Sequence, residues 1–207
     1  MFYLKWSHGN AKVSKLDAVA FGLPAYRGAD GFKTCPQAGA CAAVCYARQG
    51  SYTWPAVIAA REFNLALARS AEFPAMLVAD LEHLKAPIIR IHDSGDFFNQ
   101  DYLDAWIFAA RKFPGKTFYA YTKSLHLDFS FAPPNLRVVQ SEGGLMDAQI
   151  NRRRSHSRIF ATTADRKRAG YVDGNKTDQP AIDGEHKIGL VYHGTRNMTD
   201  AQKKYFS

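Results

Sequence analysis

The chain has only three cysteines among its 207 residues, and all of them lie between positions 35 and 45. An odd number of cysteines does not suit the paired disulfide framework of a small secreted protein, so we expect free thiols in a reducing compartment. No run approaches the roughly 18 to 20 consecutive apolar residues of a membrane-spanning helix. The N-terminus also lacks the basic and then apolar layout of a secretion signal. We therefore predict a cytoplasmic protein with no membrane partner.

Several common catalytic motifs are missing as well. The sequence contains no Walker-type phosphate loop, no Gly-x-Gly-x-x-Gly turn, no His-Glu-x-x-His and no Gly-x-Ser-x-Gly. Each of these motifs places a phosphate-binding loop, a metal site or a nucleophile in a defined local structure. Without them, the common NTPase, zinc protease and α/β-hydrolase activities lose support.

Basic residues outnumber acidic ones, 27 to 19, which gives a net charge of +8. A positive balance raises the odds of a polyanionic partner such as nucleic acid. Part of the excess is local, because the segment 151–158 reads NRRRSHSR. This segment is either a solvated basic edge or a phosphate-binding patch, and its candidate phosphate contacts are Arg152, Arg153, Arg154 and Arg158.

Composition and pattern predict one α/β domain covering residues 1–207. Apolar residues make up 46% of the chain and aromatic residues 13%, enough for a sizeable core. Segments rich in β-branched and aromatic residues predict strands at 86–94, 116–124, 135–143, 157–165 and 187–194. Apolar spacings of three and four predict helices at 55–70, 73–85 and 100–112. The segment 173–187 is expected to form a long surface loop or a β-hairpin. Alternation of strand and helix favours a partial or irregular (β/α) barrel that resembles a TIM barrel.

Polar residues follow the predicted strands directly. In parallel α/β folds the carboxyl ends of the strands form the face where ligands bind. Asp96 could also begin the next helix as its N-cap, a role that Asn99 could take instead. Strand alternation puts Arg90 and His92 on one face, which would point at a barrel interior. The candidate ligand-binding residues are Arg90, His92, Asp96, Lys123 and Glu142.

The cysteines are separated by intervals of six and four positions, as Cys35, Cys41 and Cys45. Three thiolates on one loop can hold a 4Fe-4S cluster while leaving one iron without a protein thiolate, or a 3Fe-4S cluster that lacks this iron. Structural zinc usually takes four ligands and paired cysteines two to four residues apart. A distant histidine, His92 or His8, could complete such a site, and reduced thiols without metal are a further alternative.

The motif order carries a family resemblance over roughly residues 8 to 145. Its most specific parts are Cys-x5-Cys-x3-Cys-Tyr-Ala at 35–47, Ser-Gly-Asp-Phe at 94–97 and Tyr-Thr-Lys-Ser at 121–124. This order resembles the "gene product eighty-eight" domain family, found mainly in bacteriophages. The resemblance implies a cluster-binding domain of a phage protein and names no reaction. Some family members have further cysteines late in the chain, and this sequence has none after Cys45.

The layout is also distantly similar to that of radical S-adenosylmethionine enzymes. In those enzymes a three-cysteine loop on a partial (β/α) barrel holds a cubane whose open iron binds S-adenosylmethionine. Their usual cysteine spacing is three and then two intervening residues, here five and then three. Their Gly-Gly-Glu motif is replaced by HDSGDF at 92–97, and SEGG at 141–144 has similar residues in another order.

Two functional hypotheses follow from these observations. The first is an iron–sulfur protein in electron transfer or redox chemistry, with a small molecule such as S-adenosylmethionine at the open iron and a separate redox partner. The second is a phage nucleic-acid-binding or host-interaction protein in the host cytoplasm, with a structural zinc centre.

Overall fold

The computed structural model describes residues 2–8, 11–192 and 199–206, and the strands in these residues form one eight-stranded sheet. The strands are β1 Trp6–Ser7, β2 Ala18–Phe21, β3 Ile88–Ile91, β4 Thr117–Thr122, β5 Leu136–Ser141, β6 His156–Phe160, β7 Val172–Asp173 and β8 Lys187–Val191. Their order across the sheet is β1-β2-β3-β4-β5-β6-β8-β7. Every neighbouring pair is parallel except β1 with β2. The predicted α/β class is confirmed.

Helices occupy most of the connections between the strands and follow β8, whereas the connections β4–β5 and β5–β6, which are fully described, contain no α-helix. They are α1 Ala11–Ser14, α2 Pro55–Ala68, α3 Phe73–His83, α4 Gln100–Lys112, α5 Thr163–Arg168, α6 Gln179–Ile182 and α7 Asp200–Phe206. The three predicted helices correspond to α2, α3 and α4. Short 3-10 turns at Ala40–Ala43, Tyr46–Arg48 and Gly50–Thr53 follow β2 and precede α2.

The structure does not show the predicted barrel. Within the described part of the chain, the edge strands β1 and β7 pair only with β2 and β8, so the sheet is not closed. A TIM-like barrel needs eight parallel strands that pair all the way around. The sequence pattern identified strands and crossovers but could not fix how the two edges of the sheet relate.

Four of the five predicted strands contain a whole observed strand, and the prediction at 157–165 overlaps β6, which begins one residue earlier at His156. The prediction at 157–165 runs past the end of β6 because Thr162 caps the short helix α5. Its Oγ1 accepts a hydrogen bond from the amide of Asp165 at 3.1 Å. The prediction at 187–194 contains β8, and its last two positions, 193 and 194, lie outside the described residues.

Strands β1, β2 and β7 were not predicted, and they are only two to four residues long. The segment 173–187 is not a β-hairpin, because β7 pairs with β8 in parallel and α6 lies between them. Parallel partners need a crossover, and a hairpin joins antiparallel ones. The alternative of a long surface connection fits better, although it includes one helical turn.

Packing of α3 and α4 against the first strands of the sheet forms the main core. The predicted apolar face of α4 is buried, with Leu103 and Trp106 fully inside. Asn99 caps this helix through a 2.9 Å hydrogen bond from the amide of Tyr102 to its side-chain oxygen. The rigid core fixes the carboxyl ends of β3, β4 and β5 along one edge of the sheet, because these strands are parallel.

Candidate functional site

The cysteine loop lies at this edge of the sheet. Cys35, Cys41 and Cys45 are free thiols, each partly buried. All three line one cavity of about 310 Å³, together with residues that follow β3, β4 and β5. The cysteine loop and the carboxyl ends of the strands therefore share one cavity.

A pair of glycines after β5 holds the cysteine loop against the sheet. The amide of Cys41 donates to the carbonyl of Gly143 at 3.0 Å, and the amide of Leu145 donates to the carbonyl of Gln37 at 2.9 Å. Gly143 has a φ of 94°, and a Cβ atom there would come within 3.1 Å of the Cys41 Cβ. Only glycine meets both conditions without strain. SEGG at 141–144 therefore has a structural role that its sequence alone did not reveal.

Helix α7 covers the outside of the loop. The side-chain amide of Gln202 donates to the carbonyl of Ala43 at 3.1 Å, and the ring of Tyr205 lies against Gly143. Burial raises the pKa of all three thiols, that of Cys35 to about 12. Desolvation is the largest cause, since it penalises the charged thiolate.

Metal ligation requires thiolates, so a bound cation would have to offset the desolvation that raises these pKa values. No group of three or more His, Cys, Asp or Glu side chains in the described residues is arranged around one ion. A mononuclear zinc site needs ligands that converge on one point. The thiolates of an iron–sulfur cluster bind different irons, so they need not converge on one point.

The two histidines considered as a fourth zinc ligand are placed differently. His92 is buried, and its Nε2 lies 2.9 Å from the hydroxyl of Tyr102. His8 is exposed and does not line the cavity. The structure therefore provides no support for a Cys-Cys-Cys-His zinc site.

Asp96 joins the ends of β3 and β4. Its carboxylate accepts hydrogen bonds from Thr122 Oγ1 at 2.6 Å, the Lys123 amide at 2.9 Å and the Phe97 amide at 2.8 Å. Asp96 lines the cavity and is 4% exposed, and burial raises its pKa while these hydrogen bonds oppose the change. The helix N-cap role falls to Asn99. Asp96 thus fixes the site by bracing two strand ends.

Lys123 supplies a cation next to the thiols. Its Nζ donates to Ser141 Oγ at 2.6 Å, and its charge lowers the pKa of Cys41 and Cys45 against the larger effect of burial. Both Lys123 and Ser141 line the cavity. A fixed positive charge here would stabilise thiolates and any anionic group beside them.

Glu142 does not line the cavity with the other four candidates. Its carboxylate pairs with Arg152 and lies 3.8 Å from Arg158 Nε, and the Tyr171 hydroxyl donates to it at 3.3 Å. The side chain therefore belongs to the basic segment. Lys123, which follows the neighbouring strand β4, donates a hydrogen bond to Ser141 and not to Glu142.

A buried network under the cavity contains residues that sequence analysis missed. The Arg90 guanidinium pairs with Asp178 at 2.7 Å, and the Tyr119 hydroxyl donates to the same carboxylate oxygen at 3.0 Å. Arg90 also donates to the Tyr46 hydroxyl at 3.3 Å, which itself donates to the Asp93 carbonyl at 2.5 Å. The Tyr46 ring is 43% exposed, but its hydroxyl points into this network. The residue after Cys45 is thereby tied to the sheet.

Four residues that line the cavity have buried polar atoms without a hydrogen-bond partner in the described part of the chain. Buried polar atoms are usually paired with protein, water or ligand. These atoms could therefore pair with a bound molecule, and they are Arg90 Nε, His92 Nδ1, Asp93 Oδ1 and Tyr121 Oη.

Acid is expected to destabilise the fold through His92. Burial, and then the charge of Arg90, lower the pKa of its imidazole to about 3, whereas the unfolded chain has a value of about 6.5. Between these two pKa values the unfolded state therefore binds more protons than the folded state. The free energy of unfolding then decreases by up to about 1.4 kcal/mol for each pH unit by which the solution is made more acidic. The backbone at His92 has a left-handed φ of 65°, which asparagine tolerates, so His92→Asn is a suitable variant for testing this effect.

His92→Asn should accordingly flatten the dependence of the urea-unfolding free energy on pH below about pH 6.5. Equal pH dependence in the variant and the natural chain would contradict the buried, neutral state of His92.

The basic segment carries less free charge than its sequence indicates. Glu142 pairs with Arg152 and approaches Arg158. Arg153 and Arg154 are exposed, and neither makes an ion pair within the described residues. Two of the four candidate phosphate contacts are thus already engaged within the protein.

Fold and site together define an α/β protein with a three-cysteine pocket at the carboxyl edge of a mostly parallel sheet. The chain matches the Gene product 88 family over residues 4–205, and it belongs to that family. The match confirms the resemblance and extends it well beyond residue 145. No curated protein and no solved structure is detectably similar to it. Among the described residues, no helix is long and apolar enough to cross a membrane.

Proposed function

We propose that Cys35, Cys41 and Cys45 hold one 4Fe-4S cluster, or its 3Fe-4S form, and that the protein acts in electron transfer or redox chemistry. The observation that supports this proposal is the presence of all three thiols on the wall of one cavity. The proposal places the protein in the cytoplasm, of the host if it is phage-encoded, because reducing conditions keep such thiols available.

A cluster held in this way would exchange electrons and would have one iron without a protein thiolate, open to a further ligand. The chain's own residues prepare the site for that role. Lys123 offsets negative charge beside Cys41 and Cys45, and Ala42 and Val44 present apolar surface to the cavity. An apolar wall keeps water away and strengthens these electrostatic effects.

We further propose that the sheet curves around the cavity as a partial, irregular barrel. Lys12 Nζ, from α1 before β2, donates to the carbonyl of Gly174, just after β7, at 2.7 Å. This bond joins segments next to opposite ends of the sheet. Ile159 of β6 and Leu190 of β8 also line the cavity with the strand ends of the other side. Such curvature would give the cysteine loop and the later strands one common interior.

The cavity is proposed to admit a small molecule at the open iron, with S-adenosylmethionine as the first compound to test. The buried unpaired atoms on the wall support a ligand with polar groups. The glycines of SEGG clamp the cysteine loop through Gly143, so they would not serve as a glycine-rich ligand motif. Any recognition of the ligand would instead fall to Arg90, His92, Asp96 and Lys123.

Low-temperature EPR of the anaerobically purified, reduced protein tests this function. An iron–sulfur signal that shifts on adding S-adenosylmethionine would support the small-molecule site, and Lys123→Met should weaken the shift. A signal that does not change would favour electron transfer to a separate redox partner. Absence of any iron–sulfur signal in oxidised and reduced samples would contradict the proposal.

Nucleic-acid binding is a second candidate function, favoured by the exposed Arg153 and Arg154. If each arginine contacts one phosphate, the logarithm of the binding constant for duplex DNA should fall with the logarithm of the salt concentration, with a slope of about −1.8. Replacing both arginines with alanine should abolish retention at low salt, whereas Lys85→Ala, at another exposed site, should not. Lack of retention by the natural chain at low salt would remove this function.

A further inference from the structure

The cavity that contains the thiols has a second polar end, formed by residues from α1, β3, β4 and the start of α6. We call this end the inner pocket and define it by four residues that line the cavity, namely Lys12, Arg90, Tyr121 and Asp178. Arg90 pairs with Asp178 at 2.7 Å, and its guanidinium carbon lies 5.7 Å from the centre of the Tyr121 ring. The inner pocket is therefore one connected group of side chains.

The charges of the inner pocket differ from those beside the thiols. Lys123 lowers the pKa of two thiols against the larger effect of burial. Burial also lowers the pKa of Lys12, but there the charge of Asp178 opposes the change and that of Arg90 adds to it. The cavity thus has one cation beside the thiols and a second charged group at its other end.

Two donors of the inner pocket are buried without a hydrogen-bond partner in the described part of the chain. They are Arg90 Nε and Tyr121 Oη, and Arg90 as a whole is only 6% exposed. A buried donor without an acceptor is costly, and such groups are normally paired. A carboxylate has two acceptor oxygens, so one ligand group could pair with both donors.

The charges around these donors favour a ligand group with a single negative charge. Arg90 would give it a charge-assisted hydrogen bond, and Lys12 adds a second positive charge at the same end. Asp178 lies next to Arg90 and would repel a dianionic phosphate more strongly than a carboxylate. Asp173, which also acts on Lys12, approaches Arg166 at 3.7 Å. A monocarboxylate therefore fits better than a phosphate ester.

Apolar side chains on the cavity wall indicate the rest of the ligand. Ile159 of β6 and Leu190 of β8 are register partners, and both line the cavity together with Val191. Aliphatic walls of this kind bury hydrocarbon, and a few polar groups then fix the orientation of the ligand. We propose that the inner pocket binds the carboxylate of a small organic acid with an apolar body. The proposal rests on the proposed function in one respect, since the body of the acid would face the open iron.

Titration of the full, anaerobically purified chain with hexanoate, followed by amide NMR shifts, tests this proposal. Hexanoate should bind with a Kd of about 1 mM or lower, whereas the neutral hexanamide and the dianionic hexyl phosphate should bind more weakly. Tyr121→Phe should weaken hexanoate binding about tenfold, because a hydrogen bond to a charged group is lost. Its melting temperature should not change, since the hydroxyl has no partner among the described residues.

The matched control is Tyr192→Phe, which removes the hydroxyl of another tyrosine on the cavity wall. The ring of Tyr192 lies 5.6 Å from that of Phe206 in α7, outside the inner pocket. This variant should bind hexanoate as the natural chain does. Equal weakening by Tyr192→Phe and Tyr121→Phe would overturn the assignment to the inner pocket.

Other results would also overturn the proposal. Hexanamide that binds as tightly as hexanoate would show that the pocket does not recognise the charge, and tighter binding of hexyl phosphate would indicate a phosphate ligand. Loss of hexanoate binding in Lys123→Met, with none in Tyr121→Phe, would place the carboxylate beside the thiols. Absence of saturable hexanoate binding at millimolar concentrations would remove the pocket.

Iron and sulfide measured in the same samples keep this proposal distinct from the cluster. A chain without iron or sulfide that still binds hexanoate through Tyr121 would retain the inner pocket and lose the proposed function. A chain that contains iron and sulfide but does not bind hexanoate would have the reverse meaning.

Discussion

Replacing Cys35, Cys41 or Cys45 with alanine, one at a time, is expected to reduce bound iron and sulfide to near zero. The three thiols line the same cavity, and no other cysteine exists in the chain to take the place of a lost one. Loss of one thiolate would leave two protein ligands for the cluster and expose a second iron. Such a cluster should be lost during purification, and the brown colour with it.

Iron and sulfide analysis of the anaerobically purified variants measures this effect. Ser51→Ala, at an exposed position six residues after Cys45, is a control that should keep the full iron content. Circular dichroism should show that the alanine variants remain folded, since the thiols lie at the edge of the sheet and not in its core. Full iron content in any single cysteine variant would contradict the three-cysteine assignment.

Breaking the Arg90–Asp178 pair is expected to cause the largest loss of stability. Both side chains are almost completely buried, with exposures of 8% and 2%. Asp178→Leu would leave the Arg90 guanidinium without its carboxylate, and Arg90→Leu would leave the carboxylate with the Tyr119 hydroxyl and the nearby charge of Lys12. Removing one partner of a buried pair costs about 3–5 kcal/mol. Either variant should therefore lose that much of its urea-unfolding free energy.

The double variant Arg90→Leu, Asp178→Leu distinguishes this cause from general damage to the core. With both charges removed, no uncompensated ion remains, and the double variant should be more stable than either single variant. Losses that simply add in the double variant would show that the ion pair does not couple the two positions. A loss below about 1 kcal/mol in both single variants would contradict the buried pair itself.

Sequence analysis identified the parts of the site that depend on parallel strands. Carboxyl ends of parallel neighbours share one edge of a sheet, so the residues that follow β3 and β4 had to lie close together. The cavity wall contains Arg90, His92, Asp96 and Lys123 for this reason. The cysteine loop, which follows β2 in the same sheet, reaches the same edge.

Long-range partners could not be predicted in this way. Asp178 lies 88 positions from Arg90, and it looked like part of a polar surface loop. Glu142 follows a strand as expected, but a strand end does not determine which way its side chain turns, and the arginines after β5 attract it. The hydrogen bond from the Cys41 amide to the Gly143 carbonyl could not be predicted, because every residue has a backbone carbonyl and neither composition nor spacing shows which one is used.

Strand alternation did not decide whether the sheet curves into the predicted partial barrel. Alternating strands and helices specify parallel pairing and crossovers, but closure depends on the edges. Here the edge strands β1 and β7 have only two residues each, too few to show a pattern. Short strands of this kind are defined by their partners and not by their own residues.

The most direct test of the central claim is the number of iron and sulfide ions per chain in the natural protein, purified without oxygen and analysed together with zinc. The account predicts four irons per chain, or three in the 3Fe-4S form, with four acid-labile sulfides in either form and no stoichiometric zinc. One zinc per chain without sulfide, or a metal-free protein after reconstitution with iron and sulfide, would contradict it.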